Sequence, residues 1–217
     1  MIIEQPSGST SQKRIYLSII DGQLAYKVDK NEQGAVERKN KNGITVYEKY
    51  IGGIGGFLKS VKPKDSEFGK QWEITVLGQE GLFVLNIPYS SRYANNFFLK
   101  VENVDLNHEV IILVGKYLGN DNVSRPYLSF KQGDVKIEYY YVKDDPRVPK
   151  GKKIVVNKKE IYDESEKLDF FESIAQKINS KLSGDDATPS SQQHAKEVEQ
   201  PKSSVNHNNQ IDDDLPF

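Results

Sequence analysis

The sequence has no cysteine and only three histidines, and these shortages exclude several kinds of chemistry. Without cysteine the chain has neither disulfides nor thiolate metal ligands. The histidines, His108, His194 and His207, follow no metal-binding spacing. A phosphate-binding glycine loop followed by Lys and Ser or Thr is also missing. We therefore predict no metal, no organic cofactor and no catalytic residues.

Long apolar runs are missing as well. No stretch of about 18 apolar residues occurs, so we expect no membrane-spanning helix. The first residues lack the basic start and the apolar stretch of a secretory signal. These absences predict a soluble protein of the bacterial cytoplasm, or of the host cytoplasm if the chain is encoded by a phage.

Apolar residues are scarce overall and unevenly distributed. Hydrophobic residues make up 36% of the chain, and the mean hydropathy is −0.64. Residues 184–211 are dominated by polar residues such as Ser, Gln, Asn, Asp, Lys and Pro, with few apolar ones. Such a segment cannot bury enough surface to offset the entropy lost on ordering, so it predicts a disordered linker.

The net charge of −1 conceals two parts of opposite sign. Residues 1–159 contain 25 Lys and Arg against 18 Asp and Glu, a net charge of +7. Residues 184–217 contain 2 against 7, a net charge of −5. A basic body with an acidic tail is typical of a protein that binds a polyanion and uses its tail for interactions.

The body has the composition of a β protein. Residues 13–156 alternate short runs of Val, Ile, Tyr and Phe with Gly, Asn and Asp, which predicts short strands. Asp21-Gly22 is a favoured two-residue hairpin turn. The glycine-rich residues 51–56 lack a following Lys and helix, and so indicate a bulge or a tight bend in a barrel strand.

One short helix interrupts the predicted strands. Residues 89–101 have apolar side chains at four-residue steps, namely Tyr93, Phe97 and Val101. Strands, one helix and then more strands favour a mainly β, OB-fold-like barrel over residues 1–160. An SH3-like barrel or a small sandwich fits the strand spacing nearly as well.

A second helix is predicted near the end of the body, within residues 161–183. Apolar residues recur at three- and four-residue steps over residues 165–182, and Gly184 follows as a C-terminal cap. The apolar stripe favours packing on the barrel, and a dimer or partner interface is the alternative.

The last six residues are Asp212-Asp213-Asp214-Leu215-Pro216-Phe217. Phe217 suits an apolar pocket, its α-carboxylate suits a basic residue, and Pro216 limits the backbone freedom lost on binding. The three aspartates steer the peptide toward a basic rim. We interpret residues 212–217 as a protein-interaction tip.

This tip resembles the C-terminus of the single-stranded DNA-binding protein (SSB) family of bacteria and phages, which ends in acidic residues followed by Ile or Leu, Pro and Phe. The resemblance implies that Phe217 and Pro216 dock on replication, recombination or repair proteins. Residues 56–74, followed by residues 89–94, are similar to SSBs of tailed phages. The body is longer than the usual bacterial OB domain, and the oligomeric state stays open.

Cations and aromatic residues are interleaved along the body, as sequence-independent binding of single-stranded DNA requires. Lys and Arg follow the phosphates, and each base stacked on an exposed ring contributes roughly 1–3 kcal/mol. The candidate cations are Lys59, Lys62, Lys64, Lys70, Lys116, Arg125, Lys131 and Lys136. The candidate stacking residues are Phe68, Trp72, Tyr117, Tyr127 and Tyr140.

Strand alternation gives each of these aromatic residues a competing place in the core. Tyr140 shares the charged face of its strand, and Phe68 lies in a polar loop, so exposure is favoured for both. Trp72 alternates with Ile74 and Val76, which favours the core, whereas the basic loop before it favours the rim. Phe83, Phe97 and Phe98 are assigned to the core.

The sequence thus predicts a non-enzymatic protein that coats single-stranded DNA during replication or recombination and recruits partners through its tip. The alternative is a replisome adaptor that binds a protein or a structured nucleic acid. A third hypothesis, a Mg²⁺-dependent nuclease, would use Asp65 and Glu67.

Overall fold

The computed structural model describes residues 12–67, 69–156 and 159–184, and these residues form mainly β-strands. The described strands are β1 Arg14–Ile20, β2 Gln23–Lys27, β3 Val36–Lys39, β4 Thr45–Ile51, β5 Gly53–Ser66, β6 Gly69–Gly78, β7 Gly81–Pro88, β8 Val110–Leu118, β9 Ser124–Gln132, β10 Val135–Ile137, β11 Lys152–Val156 and β12 Lys159–Asp163. The α-helices are α1 Arg92–Phe98 and α2 Ser165–Ser183, and a 3-10 turn spans Val101–Asn103. The mainly β class is confirmed. The predicted tip and all of the predicted linker beyond Gly184 lie outside the described residues.

Ten strands form one sheet in the order β10-β9-β8-β5-β6-β7-β1-β2-β4-β3. Neighbouring strands are antiparallel except β1 and β7, which are parallel. The hairpin of β11 and β12 forms a separate two-stranded sheet. One face of the large sheet carries the core, and the opposite face is here called the outer face.

The sheet is curled, but in the part of the chain that the structure describes its two edge strands are not joined by hydrogen bonds. Its order ends at β10 and β3, so a closed barrel is not found. The turn between β1 and β2 nevertheless approaches β8, where Lys116 Nζ lies 3.4 Å from Asp21 Oδ1. The helix α1 follows seven strands, whereas the OB expectation placed a helix after the third. The structure therefore supports a curled β-sheet with two helices.

Two predicted turn features are present. Asp21 and Gly22 have φ values of 50° and 80°, as a two-residue hairpin turn of this kind requires. In β5 the register shifts between Leu58 and Ser60, just after the glycine run. A Cβ on Gly56 would lie 2.1 Å from the Leu77 carbonyl oxygen, so close approach of two strands requires glycine there.

Both helices pack against the core face. The Ser91 hydroxyl accepts a hydrogen bond from the Ala94 amide at 3.2 Å and so caps α1. The helix α2 ends at Gly184, with φ of 73°, close to its predicted bounds. Its Phe171 ring stacks on Phe98 of α1 at 4.8 Å between centroids, so its apolar stripe packs on the body. No helix in the described ranges is long and apolar enough to cross a membrane.

Tyr140, which strand alternation placed on a strand, lies beyond β10, because β10 ends at Ile137. The amides of Tyr140 and Tyr141 both donate to the Leu99 carbonyl, at 2.8 and 3.1 Å. The chain therefore leaves the sheet to cover the end of α1. This departure buries Tyr141 and leaves Tyr140 partly exposed.

Candidate nucleic-acid interface

The outer face of β8 and β9 brings together several of the predicted DNA-binding residues. Tyr117 pairs with Arg125, Tyr127 pairs with Gly115, and Lys131 pairs with Ile111. The residues between them, such as Ile112 and Phe130, point into the core. Lys136 of β10 lies opposite Lys131. We call Tyr117, Arg125, Tyr127, Lys131 and Lys136 the tyrosine patch.

The two tyrosine rings of this patch are neighbours. Their centroids lie 6.3 Å apart with an angle of 46° between the planes, and Tyr117 is 41% exposed. Tyr127 lies against the backbone of Gly115, where a Cβ would come within 2.4 Å of the Tyr127 Cζ atom. Glycine at position 115 therefore makes room for the ring. Tyr117 is thus the exposed ring and Tyr127 a half-buried ring beside it, and rings that keep a face open are suitable stacking surfaces for bases.

The charges of the tyrosine patch are predominantly positive. Lys131 is exposed and has no ion-pair partner among the residues that the structure describes. Lys136 lies 3.4 Å from Glu138, both side chains being well exposed, a pair of little energetic weight. Arg125 donates to Asp121 at 2.8 Å, and the charge of that carboxylate raises the pKa of the guanidinium further. Three cationic side chains thus lie beside two rings.

The lysines of β5 and β6, predicted as one group, are divided between the two sides of the sheet. Lys62 and Lys64 both bind Glu73, at 3.2 and 2.8 Å. Burial alone would raise the pKa of Glu73, but the hydrogen bonds from Lys64 and Lys62 hold that pKa below its usual value. Lys70 instead binds Glu172 of α2 at 2.7 Å. Lys70 therefore lies on the opposite side of the sheet from Lys62 and Lys64.

The remaining candidate cations of β5 and β8 are Lys59 and Lys116, and Lys116 has the strand parity of the core-facing Ile112 and Val114 rather than that of Tyr117. Lys59, at the bulge, is exposed, and its ammonium is 5.8 Å from the centroid of Phe57. Lys116 is exposed too and makes only the 3.4 Å contact with Asp21. Neither lysine is buried, and Lys59 also has no ion-pair partner among the described residues.

Trp72 is not a stacking residue. Its side chain is 0% exposed, and its ring stacks on Tyr89 at 4.8 Å and packs against Phe98 at 4.4 Å. The indole Nε1 donates to the Tyr89 carbonyl at 3.0 Å, so even its polar atom is satisfied. The alternation with Ile74 and Val76 was the correct signal. Because both ring faces are covered, no base can reach it.

The other two predicted stacking residues have different outcomes. Phe68 lies outside the described residues. Tyr140 is exposed on one side, but Arg147 lies over its ring at 5.2 Å, and Tyr141 meets it edge-on at 4.8 Å. Arg147 also binds Asp145 at 2.6 Å, and this hydrogen bond lowers the pKa of Asp145 to about 2. Tyr140 therefore lies apart from the tyrosine patch.

The sequence reasoning missed an exposed aromatic residue on β1. Tyr16 is 54% exposed and lies on the outer face between the exposed Arg14 and Ser18. The signal was available, because Ile15 and Leu17 alternate with these residues and are buried. Tyr16 was overlooked because its strand is predominantly apolar.

No group of three or more His, Cys, Asp or Glu side chains that could hold a metal occurs in the described ranges. Asp65 and Glu67, the residues of the nuclease hypothesis, lie at the end of β5 and in the turn after it. Asp65 is paired in register with Lys70. The arrangement offers a stacking and charge surface rather than a set of metal ligands.

Comparison with known proteins places this chain in no family: no protein-family model, no curated protein and no solved structure matches it. The candidate interface therefore depends on the geometry of its own residues. The resemblance of the last six residues to SSB tips stays a prediction.

Proposed function

We propose that this protein binds single-stranded DNA without sequence preference through the outer face of its curled sheet. One observation carries the proposal: Tyr117 and Tyr127 lie side by side on that face with Arg125, Lys131 and Lys136 around them. Unpaired bases stack on such rings, and phosphates bind the flanking cations. We also propose that the curled sheet is an OB-type barrel, which comes near to closing where the β1–β2 turn meets β8.

The surface suits an unpaired strand better than a duplex. The two rings can stack with bases only if those bases are not already stacked on their neighbours, as they are in a duplex. Because every base has a π-face, such stacking does not depend on the sequence. Hydrogen-bond readout of base edges would require amide or guanidinium groups aimed into a groove. The patch instead offers mainly rings and ammonium groups, which favours binding irrespective of sequence.

The C-terminal tip supplies the second half of the proposal. Residues 212–217 combine an acidic run with a terminal aromatic residue, and they are separated from the sheet by a polar segment. In this proposal the sheet holds DNA while Phe217 and Pro216 recruit replication, recombination or repair proteins. The two activities are then separable by mutation.

The test is fluorescence anisotropy of labelled oligo-dT of about 25 nucleotides, since Trp72 is too deeply buried to report stacking directly. Tyr117→Ala combined with Tyr127→Ala should weaken binding about 10- to 100-fold, as expected for the loss of one or two stacked bases. Tyr117→Phe keeps a ring and should bind like the unchanged chain. Tyr162→Ala removes an exposed tyrosine of β12 and is the matched control.

Two results would count against the proposal. Failure of the unchanged chain to bind oligo-dT at low salt would remove single-strand binding altogether. Equal or tighter binding of duplex DNA would favour the adaptor hypothesis. A Phe217→Ala variant should bind oligo-dT normally and lose only retention of host replication and repair proteins on a DNA-bound column.

A further inference from the structure

A cleft of about 670 Å³ opens on the outer face at β1, β2 and β4, away from the tyrosine patch. It is lined by residues that include Arg14, Tyr16, Ser18, Ala25, Lys27 and Glu48, and we call it the Tyr16 cleft. No residue predicted to bind DNA lines it. Its composition is polar and aromatic rather than apolar.

The cleft is a true depression in the sheet. Ser18 and Ala25 are register partners, and their small side chains form its floor. Ala25 is only 2% exposed, although it does not belong to the core cluster. A buried residue on the outer face shows that neighbouring walls rise around it. Tyr16 forms one of these walls and keeps more than half of its surface exposed.

Two of the three carboxylates that line the cleft form ion pairs with cations of the protein itself. Arg38 binds Glu48 with two hydrogen bonds, of 2.7 and 2.8 Å, and these lower the pKa of Glu48. Lys49 binds Glu32 at 2.6 Å. Of the lining carboxylates only Glu80 has no ion-pair partner in the described part of the chain.

Three cations of the cleft are left without ion pairs. Within the described residues, Lys13, Arg14 and Lys27 have no carboxylate within 4.0 Å. Lys27 influences Glu48 only at longer range. With Glu80 as the one unpaired acid, the free charge of the cleft is positive. An exposed ring flanked by free cations is the combination that a nucleotide strand recognises.

We propose that the Tyr16 cleft is a second subsite for single-stranded nucleic acid, with a base on Tyr16 and phosphates on Arg14 and Lys27. The inference depends on the proposed function, because it adds a second hold on the same ligand. From the β1–β2 turn beside Lys116, β2 runs five residues to Lys27, about 17 Å at about 3.3 Å per residue. A strand must be long enough to span that distance before both subsites act together.

The experiment compares two labelled oligo-dT lengths, about 5 and about 25 nucleotides, on the full chain. For Tyr16→Ala we expect the affinity for the short strand to change at most about twofold, because the short strand still binds at the tyrosine patch. For the long strand we expect about tenfold weaker binding, because one of the two subsites that bind the same strand is lost. Tyr16→Phe should behave like the unchanged chain.

The contribution of the cations is tested with Arg14→Gln combined with Lys27→Gln. The slope of log affinity against log salt for the long strand should decrease by about 1.4, which is two phosphate contacts at about 0.7 each. Lys41→Gln, in the exposed β3–β4 turn, is the matched control and should leave the slope unchanged. A thermal melt of each variant checks that it is folded.

The outcomes separate the two proposals. If the unchanged chain binds neither strand, the proposed function fails and the cleft inference fails with it. If Tyr117→Ala weakens both strands but the cleft variants match the unchanged chain, the cleft inference alone is overturned. Equal weakening of both lengths by Tyr16→Ala also overturns it, since that indicates one continuous site.

A second measurement requires no variant. Photocrosslinking of the unchanged chain to halogenated oligo-dT should label the peptide that contains Tyr16 with the long strand. Absence of label there, together with label at Tyr117 or Tyr127, overturns the inference without affecting the proposed function. This readout holds even if a cleft variant fails to fold.

Discussion

The aromatic residues of this protein lie in two regions that differ in what covers them. Beneath α2, Trp72, Tyr89, Phe98 and Phe171 stack on one another and are closed off from solvent or nearly so. On the outer face Tyr16 and Tyr117 are exposed, and Tyr127 beside Tyr117 is half-buried. The difference teaches that residue type alone does not identify a stacking surface. Strand parity and the position of α2 decide which rings a ligand can reach.

The polar atoms divide in the same way. Under α2 the Tyr89 hydroxyl donates to Glu172, which also accepts from Lys70, and the Tyr141 hydroxyl donates to Glu102, which also accepts from Lys177. Each carboxylate is shared by a tyrosine and a lysine across the helix boundary. On the outer face Lys62, Lys64 and Arg125 also pair with carboxylates, whereas Lys131 has no ion-pair partner among the described residues. The first region uses its charges to hold α2 to the rest of the fold, and the second leaves part of its positive charge unpaired.

The largest difference between the two regions is expected when the buried indole of Trp72 is removed. Trp72→Ala should lower the free energy of unfolding by about 3–5 kcal/mol, because it deletes a fully buried ring and leaves a cavity. Urea denaturation measures this loss. Tyr117→Ala, on the exposed face, should cost less than about 1 kcal/mol. Similar losses for the two variants would contradict the division between the regions.

A smaller effect is expected from the carboxylates under α2. Hydrogen bonds from Lys70 and Tyr89 lower the pKa of Glu172, and those from Lys177 and Tyr141 lower the pKa of Glu102 against the opposing effect of burial. Groups with lowered pKa stabilise the fold above their unfolded pKa of 4.5, and this stability is lost as the pH falls through their folded values.

Glu102→Gln combined with Glu172→Gln should therefore lower the free energy of unfolding at pH 7 by about 1–3 kcal/mol. The difference from the unchanged chain should shrink as the pH falls below about 4.5. Denaturation at a series of pH values measures it. A difference that does not depend on pH would show that the two carboxylates do not hold α2 electrostatically.

The smallest effect distinguishes lysines on the two sides of the sheet. Lys131→Gln should reduce the salt slope of oligo-dT binding by about 0.7, the value for one phosphate contact. Lys70→Gln, beneath α2, should leave that slope unchanged. Anisotropy titrations at several salt concentrations measure both slopes. A larger change for Lys70→Gln would place the DNA on the side of the helix.

The sequence predicted those parts of the fold that depend on neighbours along the chain. The Asp21-Gly22 turn, the buried alternation of Trp72, Ile74 and Val76, and the stripe of α2 all have local signals. The parallel pairing of β1 with β7 joins residues far apart in the chain and has no such signal. For that reason the order of ten strands was not predictable from the pattern of short strands.

The candidate site was predicted in the same partial way. Tyr117, Arg125, Tyr127 and Lys131 meet because β8 and β9 form a hairpin, so closeness in sequence became closeness in space. Lys70 lies on the other side of the sheet from Lys62 because it shares the strand parity of the buried Trp72, and there it meets Glu172, about a hundred residues further along the chain. Tyr16 has its cationic neighbour Lys27 on the adjacent strand, which a linear pattern does not show.

Asn179 gives α2 a consequence beyond packing. Its side chain accepts from the Val61 amide at 2.9 Å and donates to the Val61 carbonyl at 2.6 Å, so it completes a backbone pair on β5. The chain reaches Gly184 about one helical turn later, so the C-terminal end of α2 is held beside β5. Phe217 is 33 residues beyond Gly184, so a fully extended chain would place it at most about 110 Å away. If residues 212–217 recruit a partner as proposed, that partner acts within this distance of Gly184.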